Sequence, residues 1–184
     1  MIPRVGLRMQ LSETFNDLTY YGRGPEENYR DRRTSQFIGE YTTPIKDLYE
    51  PYIRPQENEH RTDIYWCALT TKQKAGLLFI ADRTFELNAS NYLLESLDSG
   101  ETINNGAPRT NETNHRHLTD PQPVKQVDMF IDYRMMGVGG DNSWGAIAHE
   151  PYLIRPGVEN AIEYGFSIVP FDKKADYKNL IYQY

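Results

Sequence analysis

Cysteine and histidine are scarce in this sequence. Its 184 residues include one cysteine, Cys67, and four histidines, so an internal disulfide is excluded. Cys67 lies in the apolar run of residues 64–69, which predicts a small buried side chain. His115 and His117 would share one face of a strand, but no third Cys or His ligand suggests itself. We therefore expect no metal site.

The chain also lacks long apolar runs and long basic runs. No segment approaches the roughly 20 apolar residues that span a bilayer, and the N-terminal residues 1–5 carry no apolar signal-peptide region. These absences predict a soluble protein without a membrane partner, and leave its compartment open between cytoplasm and periplasm. Lys and Arg number 20 against 26 Asp and Glu, a net charge of −6, so nucleic acid is not an expected partner.

Tyrosine, proline and glycine are plentiful, with fourteen, eleven and thirteen copies. Aromatic and β-branched runs interrupted by turn residues predict many short strands. One short helix is predicted over residues 91–97 with Ser90 as its N-cap, and residues 173–184 form a terminal helix or a tail. The pattern favours a single antiparallel β-sandwich domain, 1–184, with long polar loops. The predicted strands cover residues 5–11, 18–21, 34–42, 62–70, 76–81, 84–89, 127–133, 152–154 and 161–169.

The most informative segment is residues 137–145, GVGGDNSWG, which directly follows the predicted strand 127–133. Gly137, Gly139 and Gly140 permit positive φ angles and thus a sharply turning loop. A tryptophan flanked by polar groups is typical of a sugar site, because the indole covers the apolar face of a pyranose while the polar groups bind its hydroxyls. The alternative is a tight hairpin whose tryptophan fills the core. The residues that this loop would present together are Asp141, Asn142, Ser143 and Trp144.

Three other segments are dense in polar side chains: residues 23–33, 54–63 and 115–117. The segment 54–63 offers a guanidinium, an amide and a carboxylate within a few residues, among them Arg54 and Glu57. Planar guanidinium and amide groups suit bidentate hydrogen bonds to neighbouring hydroxyls or to carboxylates. A simpler interpretation pairs the charged residues with one another, so that they tie the long loops to the sheet. The residues paired in that interpretation are Arg23, Glu26, Arg54 and Glu57.

The residues leave several kinds of carbohydrate function open. A glycosidase needs two carboxylates roughly 5 Å apart for retention or roughly 6.5 to 9.5 Å apart for inversion, and no spacing in the sequence pairs any two. A mutarotase-type epimerase would use His115 or His117 with Glu57 as acid and base. A third hypothesis is that the chain is an autonomous carbohydrate-binding module. The carboxylates available to a glycosidase are Glu26, Glu27, Glu57, Glu59 and Asp141.

Four blocks of this sequence together resemble the C-terminal module, or small chain, of the large β-galactosidases of glycoside hydrolase family 2. The blocks appear in order and at sensible spacing between about Val5 and Val169, so the resemblance covers nearly the whole chain. They are YGRGPEENY (residues 21–29), PYIRPQEN (51–58), HRHL (115–118) and GVGGDNSW (137–144).

The resemblance implies an antiparallel β super-sandwich of the galactose mutarotase-like type, with at most one or two short helices. It implies a non-catalytic module, because the catalytic glutamates of such enzymes lie in a TIM barrel that this chain does not contain. Trp144 would form a platform for terminal β-D-galactosides such as lactose, a substrate shared with the catalytic domain of the same parent chain. Asp141, Asn142 and Ser143 would shape its loop. The weaker candidates for substrate binding are Arg54, Glu57, His115 and His117.

The resemblance also sets expectations for cofactors and assembly. No cofactor is expected within this chain, whereas divalent or monovalent cations are compatible with the parent enzyme. Glu59 stands where the family usually has glycine after Gln-Glu-Asn, which changes the expected turn. The family module is usually longer on its N-terminal side, so we expect a fragment with an unpaired sheet edge that favours a homo-oligomer.

Overall fold

Alternating apolar and polar residues produce an antiparallel β-structure, as the sequence predicts. The computed structural model describes residues 1–53, 55–97, 121–142, 145–155, 157 and 162–183. Within these ranges the strands are β1 (Arg4–Ser12), β2 (Phe15–Gly24), β3 (Phe37–Pro44), β4 (Arg61–Thr71), β5 (Gly76–Ser90), β6 (Gln126–Met135) and β7 (Phe166–Phe171). The helices are α1 (Leu94–Leu97), α2 (Tyr177–Leu180) and the 3-10 turns Ile45–Asp47, Glu150–Tyr152 and Ile181–Gln183.

The described strands form one hydrogen-bonded sheet in the order β1-β6-β5-β4-β2-β3, with β7 also paired to β5. The long strand β5 makes this branching possible. Its first part pairs with β7, from Gly76 opposite Phe171 to Ala81 opposite Phe166, and its last part pairs with β6. The two separate strands predicted over 76–81 and 84–89 are one strand, and β4 pairs with both parts of it, at Ile80 and at Phe85, with a register shift in between.

The larger part of the core lies on one face of the sheet. Fully buried side chains from β2, β4, β5 and β6 form it. Burying one aliphatic or aromatic side chain stabilises the fold by about 1.5 to 3 kcal/mol relative to leaving it exposed. Cys67 is among them, as predicted, and burial raises the pKa of its thiol. The turn Ile45–Asp47 packs on β2 and β5 and adds Ile45 and Leu48. Central members of this cluster are Leu18, Tyr20, Leu69, Phe79, Leu87, Met129 and Ile131.

A second apolar cluster lies around Trp66 and Phe171 and is covered by the C-terminal segment. The Tyr177 ring of α2 stacks on Phe171 with ring centres 4.9 Å apart, and meets the edge of Trp66 at 6.3 Å. Leu180 and Ile181 pack against the same cluster. Residues 173–183 thus include side chains that cover apolar surface of the sheet.

Two further local predictions are wrong. Residues 152–154 were expected to form a strand, but the chain forms the 3-10 turn Glu150–Tyr152, and Ile154 alone makes a bridge, to Ile2. Pro151 has no N–H to donate to a strand neighbour, which favours the turn. Helix α1 begins at Leu94 instead of residue 91, because the Ser90 hydroxyl accepts the Tyr92 N–H at 2.8 Å in a local turn. No helix in the described ranges is both long and apolar enough to cross a membrane.

Candidate functional site

The glycine loop begins where β6 ends, and its first residues are held by the rest of the domain. The Gly137 N–H donates to the Tyr152 carbonyl at 2.8 Å. The N–H groups of Val138 and Gly139 donate to the two carboxylate oxygens of Asp31 at 3.2 and 2.7 Å. Asp31 belongs to the polar connection after β2, so one carboxylate joins two segments that are more than a hundred residues apart.

Close packing, and not left-handed backbone, requires glycine at the base of this loop. The prediction of positive φ at Gly137, Gly139 and Gly140 is wrong, since none of the three adopts it, whereas Gly145 does, with φ of 95°. A Cβ on Gly137 would lie 2.6 Å from the Asp31 carboxylate. A Cβ on Gly140 would overlap the carbonyl oxygen of Ala146. The glycines therefore let the Asp31 clamp and the second half of the loop approach closely.

The close approach of Gly140 and Ala146 brings the two sides of the loop together. The Asp141 carboxylate and the His149 Nε2 meet at 2.7 Å, with both side chains largely exposed. Asn142 is exposed beside them. The two sides of the loop therefore meet above a fixed base, with Asp141 and Asn142 at the surface.

A cavity of about 310 Å³ lies against the base of this loop. Its size suits a small ligand at the lower end of typical binding pockets. Apolar groups and a few charged groups share its wall, as in sites that bind amphipathic ligands. The lining residues are Pro3, Tyr29, Arg32, Tyr52, Gln56, Glu57, Met135, Met136, Gly137, Val138 and Ala148.

Glu27 organises one wall of the cavity. Its carboxylate accepts hydrogen bonds from the Tyr29 hydroxyl at 3.1 Å, from the Glu59 N–H at 2.8 Å, and from Tyr52 and Arg32. The Arg32 guanidinium also lies 5.0 Å from the centre of the Tyr29 ring and 5.7 Å from that of Tyr52, within cation–π range. Glu27 thus fixes two aromatic rings and a cation at the cavity.

Glu57 supplies the carboxylate of the cavity wall. Burial raises its pKa, while the positive charge of Arg4 opposes the rise. Arg4 Nη2 lies 3.2 Å from Glu57 Oε2, and Arg4 Nε lies 3.1 Å from Asp132 Oδ2. Burial raises the pKa of Asp132 to about 7. Arg4 therefore joins the cavity carboxylate to a buried carboxyl of the sheet.

A buried histidine continues this network behind the cavity. Asn88 donates its amide to the Asn58 carbonyl at 2.6 Å, so its Oδ1 faces His60 Nδ1 at 2.8 Å and His60 donates there. His60 Nε2 lies 3.1 Å from Glu86 Oε2, which also accepts the Met135 N–H at 2.6 Å. An ionised carboxylate only accepts hydrogen bonds, so the contact between His60 Nε2 and Glu86 Oε2 needs a proton either on Nε2 or on the carboxyl group. The network fixes the end of β6 from which the glycine loop departs.

Comparison with known proteins shows the family of this chain. The family model described as beta galactosidase small chain matches residues 1–168. The chain belongs to this small-chain family. A beta-galactosidase from Priestia megaterium is 34% identical over 153 residues, which is 83% of this chain and 13% of the relative. One from Vibrio cholerae is 32% identical over the same shares, and one from Staphylococcus xylosus is 28% identical over 91% of this chain and 15% of the relative. The chain thus spans about one-seventh of the length of these relatives.

The structure of this small-chain domain covers some of the predicted site residues. It brings the loop residues Asp141 and Asn142 to the surface above the clamp, and it places Glu57 in the cavity beside the loop. The other predicted residues lie outside the described ranges. They are Ser143, Trp144, Arg54, His115 and His117.

Charged residues do tie the loops to the sheet of the small-chain domain, but with other partners than predicted. Arg23 Nε donates to Asp63 at 2.8 Å, Glu26 accepts from Gln36, and Glu57 pairs with Arg4. Sequence reasoning also missed the network behind the cavity. The signal available was polar residues at alternate positions in otherwise buried strands. The residues missed were Arg4, His60, Glu86, Asn88 and Asp132.

The cavity does not bring together the two carboxylates that glycoside hydrolysis needs. Glu57 is the one carboxylate among the described lining residues. Glu27 is buried and saturated with hydrogen bonds, Glu59 is buried, and Asp141 contacts His149 at the surface. In the part of the chain that the structure describes, no group of three or more His, Cys, Asp and Glu side chains is placed to hold a metal ion.

Proposed function

We propose that this chain is the non-catalytic small-chain part of a β-galactosidase, and that its glycine loop carries Trp144 to the galactoside. The family and the names of its relatives support a parent that cleaves β-galactosides. A single carboxylate in the cavity supports a role outside bond cleavage, since hydrolysis uses two. The galactoside is then shared with a catalytic domain of the same parent chain.

The geometry of the loop base carries the platform proposal. Asp31 holds two consecutive N–H groups, and Gly140 and Ala146 meet, so that the loop has a fixed base on both sides. A large side chain carried on a rigid base is oriented at small entropic cost. The indole of Trp144 then stacks on the apolar face of the sugar, while the polar residues around it bind hydroxyls.

The test replaces Trp144 with Ala in the full-length parent enzyme. Loss of one stacking surface costs on the order of 1 to 2 kcal/mol of sugar binding, so kcat/KM for lactose falls about tenfold or somewhat more. Trp144→Phe keeps an aromatic face and recovers part of the loss. Ile147→Ala removes an exposed apolar side chain from the same loop and serves as the control. Unchanged kcat and KM in Trp144→Ala contradict the platform.

One observation favours a second candidate, a mutarotase-type activity: Glu57 is partly buried at a sugar-sized cavity and burial raises its pKa, as suits an acid–base group. The measurement is the rate at which the 184-residue chain interconverts the anomers of galactose. A rate equal to that of buffer excludes this activity. A rate above buffer that Glu57→Gln abolishes establishes it.

A further inference from the structure

A second and larger cavity, of about 860 Å³, lies beside the middle of β5. Four arginines reach it from three parts of the chain: Arg30 and Arg33 from the connection after β2, Arg83 from β5 and Arg134 from β6. Arg134 lies two residues beyond Asp132, which pairs with Glu86, so Arg83 and Arg134 extend from the same end of the β5–β6 pair.

Two of the four carboxylates that line this cavity are already engaged. Asp63 accepts from Arg33 at 2.9 Å through both oxygens and from Arg23 at 2.8 Å. Glu86 is held by His60 and by the Met135 N–H. The remaining two carboxylates, those of Asp82 and Glu163, belong to exposed residues at the rim.

Three of the four arginines form no ion pair with a carboxylate of the described residues. Within the described ranges, no carboxylate oxygen lies in ion-pair distance of Arg30, Arg83 or Arg134; the Arg134 guanidinium lies over the Tyr133 ring instead. Arg30 is half-buried, and its Nε is fully buried without a hydrogen bond. A buried donor on a cation is costly when unpaired.

The arginines also act on one another. Burial lowers the pKa of Arg30, and the charges of Arg134 and Arg33 lower it further, with Glu86 opposing them. Repulsion between like charges at the wall of a cavity is relieved when an anion enters. Guanidinium groups from different elements suit an anion with several oxygen atoms, because each fork can bind two of them.

We propose that this cavity is a binding site for a phosphate-class oxyanion, with Arg30, Arg83 and Arg134 as its ligands. Arg33 remains on Asp63 and holds the wall in position. The chain as a whole is acidic, with a net charge of −6, so general attraction does not draw anions to it and binding depends on this local cluster. The site is independent of the galactoside role proposed above.

The test titrates inorganic phosphate into the 184-residue chain by calorimetry, in buffer matched for ionic strength with chloride. About 10 mM phosphate is sufficient to saturate a site of roughly millimolar Kd. We expect one site, and at least about tenfold weaker binding in Arg30→Gln, because a charge-assisted hydrogen bond is lost. Arg155→Gln, which removes an exposed arginine whose ion-pair partner is the exposed Glu150, keeps the affinity of the parent chain.

A second measurement separates loss of the site from loss of the fold. In chloride alone, Arg30→Gln melts at the same or a higher temperature than the parent chain, since it removes a buried and repelled charge. Phosphate raises the melting temperature of the parent chain and leaves that of Arg30→Gln unchanged. The proposal is overturned if the parent chain gives no heat with phosphate, if Arg30→Gln binds as the parent chain does, or if acetate binds equally well.

Discussion

Among single side chains, Glu59 departs most from what its position favours. It has a left-handed backbone, with φ of 62°, at the position where the family resemblance led us to expect glycine. Its side chain is 1% exposed, and neither carboxylate oxygen accepts a well-aligned hydrogen bond. Glu59 therefore adopts a left-handed conformation that residues other than glycine adopt less readily. Its carboxyl group lies in a nearly dry site.

The pH dependence of folding follows from this carboxyl. Burial raises the pKa of Glu59 from 4.5 to about 8, with Ser90 and Arg61 opposing the rise. The folded chain then holds a proton that the unfolded chain releases, so the free energy of unfolding falls as pH rises from about 4.5 to 8. At 1.36 kcal/mol per pKa unit the upper limit of this loss is roughly 5 kcal/mol.

We expect Glu59→Gln to match the parent chain near pH 5 and to exceed it in stability above pH 8, measured by urea unfolding across this range. Glu95→Gln is the control of opposite sign. Arg8 lowers the pKa of the Glu95 carboxyl to about 2. The ionised Glu95 therefore stabilises the fold at pH values above its pKa in the unfolded chain, and this stabilisation is lost as the pH falls toward 2. Parallel pH profiles for Glu59→Gln and the parent chain contradict the prediction.

At the level of the loop, two neighbouring glycines have different tasks. A Cβ at Gly140 overlaps the Ala146 carbonyl, whereas a Cβ at Gly139 meets its nearest atom, Asp31 Oδ2, at 3.3 Å. Neither residue needs a positive φ, so alanine tests space alone in both. We expect Gly140→Ala to cost about 1 to 3 kcal/mol of unfolding free energy through backbone displacement. Gly139→Ala is the matched control, with a change within about 0.5 kcal/mol.

Thermal unfolding of the two variants measures this difference. Hydrogen exchange adds a local readout, since faster exchange of the Val138 and Gly139 amides reports an opened Asp31 clamp. Equal stability of the two alanine variants contradicts the packing explanation for the loop.

For the molecule as a whole, the C-terminal segment is part of the fold. Tyr177 covers Phe171 and Trp66, whereas Tyr182 in the following turn is 88% exposed. We expect Tyr177→Ala to lower the free energy of unfolding by about 1 to 3 kcal/mol, through lost burial and ring contacts. Tyr182→Ala changes it by less than about 0.5 kcal/mol. Denaturant unfolding followed by tryptophan fluorescence measures both. Similar losses in the two variants indicate that the segment does not depend on this packing.

The antiparallel β-fold was predictable because strand alternation and turn residues are local signals. Cys67 in an apolar run and residues 127–133 before the glycine loop illustrate this. The 3-10 turn at Pro151 and the unbroken strand β5 were not predicted. In both, a backbone feature outweighed the side-chain pattern. In the first it is the missing N–H of Pro151, and in the second it is the pairing of both parts of β5 with β4.

The site was predictable in part. The order of residues alone located the glycine loop and Glu57 and identified the family, because these signals lie within short stretches of chain. Folding alone decided that Asp31 clamps the loop, that Arg4 joins Glu57 to Asp132, and that unpaired arginines meet beside β5. These contacts join residues that are far apart in sequence. Their distances and pKa values depend on sheet register and on burial, and both exist only in the folded chain.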